Sequence, residues 1–317
     1  MDNDSIVAPH PEDIVLAVDI GGSKYMIGLV DRSGNIISVN RYDWRLTSIE
    51  ELLPKIISAI NDTIKQNPIY EIQAIGMTIP GLVELSSGSW ISFSASGIKK
   101  IPLVEIIRKR IKQPVYIEND ARASALAEKK YGPSKDCDNF LYLTVSTGVA
   151  GAFVFNGEVY HGGNDNAGEI GQCIVVEGGR VAESGERGTL EAYASTYGLV
   201  TNYVEAGGKN SINGEKLNGK IISDLAAKGD PAALRAFEIQ GYYLGKVIAS
   251  TLNMLSLEKV IIGGGMSLAS KFFMPKLKET IKQDYYIRYE PVIIEATELG
   301  YNGAFLGAAA FAFLNMD

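Results

Sequence analysis

The chain has 317 residues, and its 37 Asp and Glu outweigh 30 Lys and Arg to give a formal charge of −7. That acidity argues against a nucleic-acid surface, the length suits about two domains, and no apolar run is long enough to span a bilayer. The two cysteines, Cys137 and Cys173, are too few for a disulfide framework and fit a reducing compartment, so a cytoplasmic protein is expected.

Residues 1–13 are polar, with Pro9 and Pro11, and lack the apolar centre of a signal peptide, so a disordered start is expected. Residues 14–18 read as a buried strand that runs into Asp19-Ile-Gly21-Gly22-Ser23-Lys24. Further strands follow at 25–30 and 35–42, joined by the turn Asp31-Arg-Ser-Gly34. Glycines at 21 and 22 let the backbone turn and approach an anion closely. Asp19 at a strand end suits Mg²⁺ held through water. An ordinary tight hairpin with a solvated aspartate gives the same pattern.

Helical spacing of Leu52, Leu53, Ile56, Ile57, Ile60 and Ile64 predicts a helix over 49–66. A strand over 72–78 closes at Pro80-Gly81, a hairpin follows over 82–91, then a polar loop over 92–100 and a helix over 103–111. Val115 to Ile117 read as a short strand, Asn119 as an N-cap, and 121–130 as a helix stopped by Gly132-Pro133. Asp120 therefore stands where a strand ends and a helix begins, the place where α/β sheets hold ligands. Amide N–H groups and the helix dipole are expected to keep its carboxylate ionised. As an isolated fragment, a simple cap aspartate reads equally well.

A strand over 140–146 leads to Thr147-Gly148-Val-Ala-Gly151, and strands over 152–155 and 158–160 flank Asn156-Gly157, a strong hairpin signal. This order of strand, glycine turn, strand, hairpin turn and strand repeats 14–38, as if two copies of one motif could hold a polyphosphate between two glycine hairpins. Glu169 lies in the glycine-rich loop 162–172, and Glu191 at the start of a helix after the polar loop 181–188. Asp230-Pro231 opens a long helix to about Leu255. Residues 259–262 form a strand ending in Gly263-Gly264-Gly265, followed by a helix over 270–283, a nucleotide-approach pattern. A strand over 291–295 and a small-residue helix over 301–314 complete the chain.

Taken together and in order, Asp19-Ile-Gly-Gly-Ser-Lys24, Glu118-Asn-Asp-Ala121 with Glu128, Ser146-Thr-Gly-Val-Ala-Gly151, Ala167-Gly-Glu-Ile-Gly171, Leu190-Glu191-Ala-Tyr-Ala-Ser195 and Ile262-Gly-Gly-Gly265 resemble the ROK family of sugar kinases and repressors. The resemblance covers the whole length and implies a two-domain α/β fold of the actin-like ATPase (ribonuclease H-like) kind, with the active-site cleft between the domains. The domains expected are 14–118 with 301–317, and 119–300. It implies Asp120 as general base toward a hexose 6-hydroxyl. Gly21, Gly22, Ser23, Lys24, Thr147 and Gly148 would line the phosphates of ATP, Gly264 and Gly265 would lie beside the adenosine, and Asp19 would hold Mg²⁺ through water. The sugar hydroxyls would fall to Asn119, Asp120, Glu169 and Glu191, with Gln172, Ser94 and Gly81. A homodimer is common in the family and is expected here.

Departures from the family pattern carry expectations too. A structural zinc site in many members uses a His and three Cys where this chain has Gln172, Ala182, Ser184 and Thr189, side chains that cannot form a tetrahedral Zn²⁺ site. No zinc is expected. Gln172 and Ser94 bear on which sugar is taken. Glucose is the default, with N-acetylmannosamine, another N-acetylhexosamine or a β-glucoside as alternatives. From another class, the resemblance admits a sugar-sensing regulator, disfavoured by the acidic charge and the short stretch before the first strand, or a non-catalytic sugar-binding protein.

Overall fold

Runs of β-branched and leucine residues become buried strands, and amphipathic or alanine-rich runs become the helices that cover them. The computed structural model describes residues 14–22, 24–43, 49–93, 98–212, 214–287 and 291–317. The stretch 1–13, Ser23 and Ser94 lie outside the described residues. The first stretch gives β1 (Ile14–Ile20), β2 (Lys24–Asp31), β3 (Ile36–Asp43), α1 (Ile49–Gln66), β4 (Ile75–Ile79), β5 (Leu82–Glu84), β6 (Ser89–Phe93), β7 (Ile98–Ile101), α2 (Leu103–Arg108), β8 (Val115–Asn119) and α3 (Asp120–Lys130). The middle gives β9 (Phe140–Val145), β10 (Val149–Phe155), β11 (Glu158–Val159), α4 (Leu190–Ala194), α5 (Thr196–Glu205), β12 (Ser211–Ile212), β13 (Glu215–Lys216), α6 (Gly219–Ala227), α7 (Pro231–Leu255), β14 (Lys259–Gly263), α8 (Ser270–Asp284) and β15 (Ile293–Ala296). The chain ends in α9 (Gly303–Met316).

Two compact units result. The first holds the chain up to Tyr131, with Gly163–Asn166 and Asn302–Asp317, and the second holds Gly132–Gly162 and Ala167–Tyr301. The sheet of the first unit runs β3-β2-β1-β4-β8, antiparallel from β3 to β1 and parallel from β1 to β8. The sheet of the second runs β11-β10-β9-β14-β15, antiparallel from β11 to β9 and parallel from β9 to β15. The repeated order is the duplication suggested by the two glycine hairpins. At Asn156-Gly157 both residues have positive φ, 53° and 82°, the backbone a two-residue hairpin turn of this kind needs.

The sequence placed the domain crossing after Glu118; the units divide after Tyr131, so α3 stays with the first unit. Glycines explain why α3 belongs there. A Cβ on Gly307 of α9 would stand 2.1 Å from the Ala123 carbonyl oxygen of α3, and one on Gly76 of β4 would stand 1.8 Å from the Ala308 carbonyl oxygen. Backbone contact on both sides wedges α9 between β4 and α3. The segment Gly163–Asn166 joins the first unit through β5. The Leu85 amide donates to Asp165 Oδ2 at 3.0 Å, and the Val83 amide to Asn166 Oδ1 at 3.1 Å.

Three local readings change. The polar loop expected over 92–100 contains β7, an edge strand paired with β6 through Trp90 and Ile101; edge strands commonly carry lysines such as Lys99 and Lys100. The helix expected over 103–111 stops at Arg108. The helix begun near Thr189 breaks at Ser195, whose side chain accepts from the Gly198 amide and starts α5 afresh.

Candidate active site

The parallel register of the first sheet sets the carboxyl ends of three strands side by side. Asp19 at the end of β1 pairs with Thr78 of β4, and Ile79 of β4 pairs with Asn119 of β8. Strand ends in open α/β sheets are where ligands bind. Thr78 Oγ1 donates to Asp19 Oδ1 at 2.7 Å. Nothing in the sequence singled out Thr78; its signal is the strand register alone, which no single segment reveals.

Asn119 caps α3 as expected, its Oδ1 accepting from the Ala121 and Arg122 amides at 2.9 and 3.2 Å. Its Nδ2 donates to the carbonyl of Gly81 at 3.0 Å. Gly81 turns the chain after β4 at φ +81°. Asn119 is buried, and these bonds spend both carbonyl lone pairs and one of two amide hydrogens. Beneath the junction, Glu118 and Arg122 form an ion pair at 2.9 Å with both side chains at most 2% exposed. Glu118 Oε1 also accepts from the Asn119 amide at 2.6 Å.

Asp120 opens α3 and accepts from the Ala121 amide at 2.9 Å. The Ala121 amide lowers this carboxyl, in the direction that keeps it ionised, but burial opposes it more strongly. Burial pushes it above its ordinary value, and the Ala121 amide, Arg122 and Asn119 offset that only in part. Burial also pushes Asp19 up, to about 6, against the opposing Thr78 hydrogen bond and with the Asp120 charge adding to it. A carboxyl raised by burial and by a neighbouring carboxylate, as Asp19 is, fits a divalent cation, which would relieve both desolvation and repulsion. In the β1–β2 hairpin, Gly21 donates its amide to the Lys24 carbonyl at 2.8 Å, so that amide is spent inside the turn. Lys24 is exposed and faces Asp43 at 3.7 Å.

In the second unit the turn from β9 to β10 has Thr147 exposed. Ser146 donates its amide to the Gly148 carbonyl at 2.9 Å, while the Thr147 and Gly148 amides donate to nothing among the described residues. Glu191, in the first turn of α4, accepts from the Val149 amide at 3.2 Å. A Cβ on Gly148 would stand 2.6 Å from its carboxylate oxygen. Phosphate-type and sugar-type residues of the sequence reading are thus direct neighbours here.

The loop before α4 is pressed onto β10. A Cβ on Gly168 would reach the Gly151 carbonyl oxygen at 2.1 Å, and one on Gly171 the Val149 carbonyl oxygen at 1.9 Å. Between them lies Glu169, exposed, followed by a single 3₁₀ turn, Ile170–Gln172, that packs on α4 and β10. Gln172 Oε1 is closed off from solvent and accepts no hydrogen bond among the described residues. Such a buried acceptor has room for a donated hydrogen bond.

Gly264 and Gly265 follow β14. Gly264 has φ +76°, and a Cβ there would meet the Val145 carbonyl oxygen at 2.5 Å, so its absence of a side chain lets the chain turn against β9. Gly265 is open by comparison, with Ser146 Oγ and the Tyr301 ring each 3.8 Å from its Cβ position.

Two of the four positions where zinc ligands would stand have other employment. Ala182 is buried with Tyr193, the Thr189 side chain caps α4, and Ser184 Oγ is buried. Among the described residues no three His, Cys, Asp or Glu group to hold a metal ion. The donor set does not fit zinc.

A family model described as "ROK family" matches residues 15–314. A glucokinase of Halalkalibacterium halodurans is 31% identical over 283 residues, covering 83% of this chain and 84% of its own length. The DNA-binding transcriptional dual regulator NagC of Escherichia coli is 29% identical over 282 residues, covering 87% of this chain and 70% of its own. The crystal structure of a ROK family glucokinase from Streptomyces griseus in complex with glucose and AMPPNP superposes with a TM-score of 0.84 at 25% identity, covering 95% of this chain and 99% of that one.

Proposed function

The chain belongs to the ROK family, and from that premise we propose that it is a sugar kinase, transferring the γ-phosphoryl group of ATP to the 6-hydroxyl of a hexose, with glucose the first candidate. The observation that carries this reading is Asp120. It is an acid at a strand-to-helix junction, raised above its ordinary value by burial and held by amides of its own turn.

Asp120 accepts the proton of the sugar 6-hydroxyl as that oxygen bonds to the γ-phosphorus and the bond to the ADP oxygen breaks. A base poised nearer neutrality than an ordinary aspartate suits this transfer. Phosphoryl transfer otherwise needs positioning and charge neutralisation. The open amides of Thr147 and Gly148 supply donors for phosphate oxygens, and Gly265, open at its Cβ position beside the tightly packed Gly264, leaves room for the nucleoside. Mg²⁺, when bound, supplies charge neutralisation at the phosphates; Asp19 is the residue to hold it through water, with Thr78 fixing the carboxyl's orientation. Glu169, Gln172 and Glu191 offer carboxylates and an orphaned amide oxygen to sugar hydroxyls. Asn119, having spent most of its capacity on the cap and on Gly81, has one amide hydrogen left to offer. The two free cysteines fit a cytoplasmic enzyme.

A regulator that only senses sugar is the second reading, and the similarity to NagC favours it. An assay of ADP release with Mg-ATP and a panel of hexoses separates the two: turnover supports the kinase, and saturable sugar binding without ADP supports the sensor.

A further inference from the structure

Gln172 and Glu191 stand at the two ends of one hairpin. Leu190 donates its amide to the Cys173 carbonyl at 2.8 Å and Ile174 bridges Thr189, which closes the base. Higher up, the Gly188 carbonyl accepts from Val175 and Val176, Gly188 donates to the Arg180 carbonyl at 2.7 Å, and Ala182 donates to the Glu186 carbonyl at 2.7 Å. Little apolar burial holds this hairpin to the rest of its unit. Its own buried contribution is Ala182, packed with Tyr193 and flanked by Val175 and Val176, of which only the half-buried Val175 also reaches the unit's main core, while Ile174 is 63% exposed.

Arg180 supplies what burial does not. Its guanidinium lies 4.5 Å over the Tyr193 ring of α4. It donates to Asn202 Oδ1 and pairs with Glu205, both on α5. Its backbone amide donates to the Tyr193 hydroxyl at 3.2 Å. Asn202 is fully buried and passes the tie onward through Nδ2 to the carbonyls of Tyr193 and Ala236, the latter on α7. An exposed ion pair would be worth little. Here the cation is only 20% exposed, stacked on an aromatic face and shared between two acceptors, the arrangement in which a planar guanidinium is not replaceable by an ammonium.

We propose that Arg180 is a positioning residue for ligand recognition: its clamp on Tyr193, Asn202 and Glu205 fixes the 173–189 hairpin and so sets Gln172 and Glu191 for the sugar, in the segment whose side chains do not fit zinc. This rests on the sugar-kinase reading of Gln172 and Glu191. The clamp touches neither the Thr147 and Gly148 amides nor Asp120, and Glu191 stays held against the β9–β10 turn by the Val149 amide, so loss of the clamp acts on sugar affinity far more than on the nucleotide.

The test compares wild type with Arg180→Met, which keeps the stem and removes the fork, and Arg180→Lys, which keeps the charge. In the full-length protein, amide hydrogen exchange at Ala182 and Gly188 is measured beside steady-state kinetics with glucose and Mg-ATP. In Arg180→Met, exchange at both amides rises about tenfold or more, and the KM for glucose rises by a similar factor, a tenfold change being 1.4 kcal/mol. The kcat and the KM for ATP stay within about threefold, and Arg180→Lys recovers only part of the loss. Unchanged exchange overturns the clamp, and faster exchange with an unchanged KM for glucose overturns the positioning role. Equal loss of kcat and of affinity for both substrates also overturns it, as the mark of general structural damage. A wild type that turns over no sugar sinks the kinase reading instead, and the exchange measurement still decides whether Arg180 pins the hairpin.

Discussion

Asp19 and Asp120 are costly residues to keep. Asp19 has its folded value raised to about 6 from 3.8, so the folded protein binds this proton more tightly than the unfolded chain. Its ionised form therefore costs stability above pH 6, and the cost fades as pH falls toward 3.8. The difference corresponds to at most about 3 kcal/mol. Asp19→Asn keeps an acceptor for Thr78 and is expected to raise the melting temperature of metal-free protein at pH 7, with the gain shrinking steadily as pH is lowered to 4. A gain that is absent at pH 7, or that does not shrink, contradicts the burial of this charge. Asp120→Asn should lower kcat by a factor on the order of 10² to 10⁴, the usual worth of a general base. Glucose affinity by calorimetry should stay within a few-fold. Unchanged kcat would remove Asp120 from the base role.

At the scale of elements, α9 carries the site without touching ligand, because it seats α3 and thereby Asp120. Gly307→Ala would set a Cβ 2.1 Å from the Ala123 carbonyl oxygen and force α9 and α3 apart, and overpacking of this kind costs about 1–3 kcal/mol. Gly163→Ala, with nothing within 4 Å of its Cβ position, is the control and should stay within about 0.5 kcal/mol. Urea melts of both variants check this, and equal stability of the two would refute the wedge. Gly148→Ala carries a different expectation from that of a pure phosphate turn. Its methyl would press on Glu191 at 2.6 Å, so affinity for sugar and for nucleotide should weaken together. Local chemistry made some elements legible in the sequence: Asn119 followed by an alanine-rich run, Asn156-Gly157, and Asp230-Pro231 each name a turn or a cap by themselves. β7 was not legible, because Lys99 and Lys100 read as polar loop unless Trp90 is known to pair with Ile101. Nor was the break at Ser195, a small residue that is common inside and outside helices.

For the molecule as a whole, the two sheets share one strand order, and the fold is that of the actin-like ATPases. The glycine hairpins foretold that duplication because each lies within a single stretch of chain. Long-range constellations were out of reach: Thr78 beside Asp19, Glu191 against Gly148, and Arg180 clamped over Tyr193 depend on contacts between segments that no local pattern encodes. The raised values of Asp19 and Asp120 belong with these, since burial is a property of the assembled unit and outweighs the amides that the sequence did reveal. The measurement that tests the central claim most directly is coupled ADP release with Mg-ATP across a hexose panel, run on wild type and Asp120→Asn. Wild type should release ADP in step with the 6-phosphate of at least one hexose, and the variant should not. Silence from wild type with every sugar, or equal ADP release by both proteins, would contradict a sugar kinase that uses Asp120 as its base.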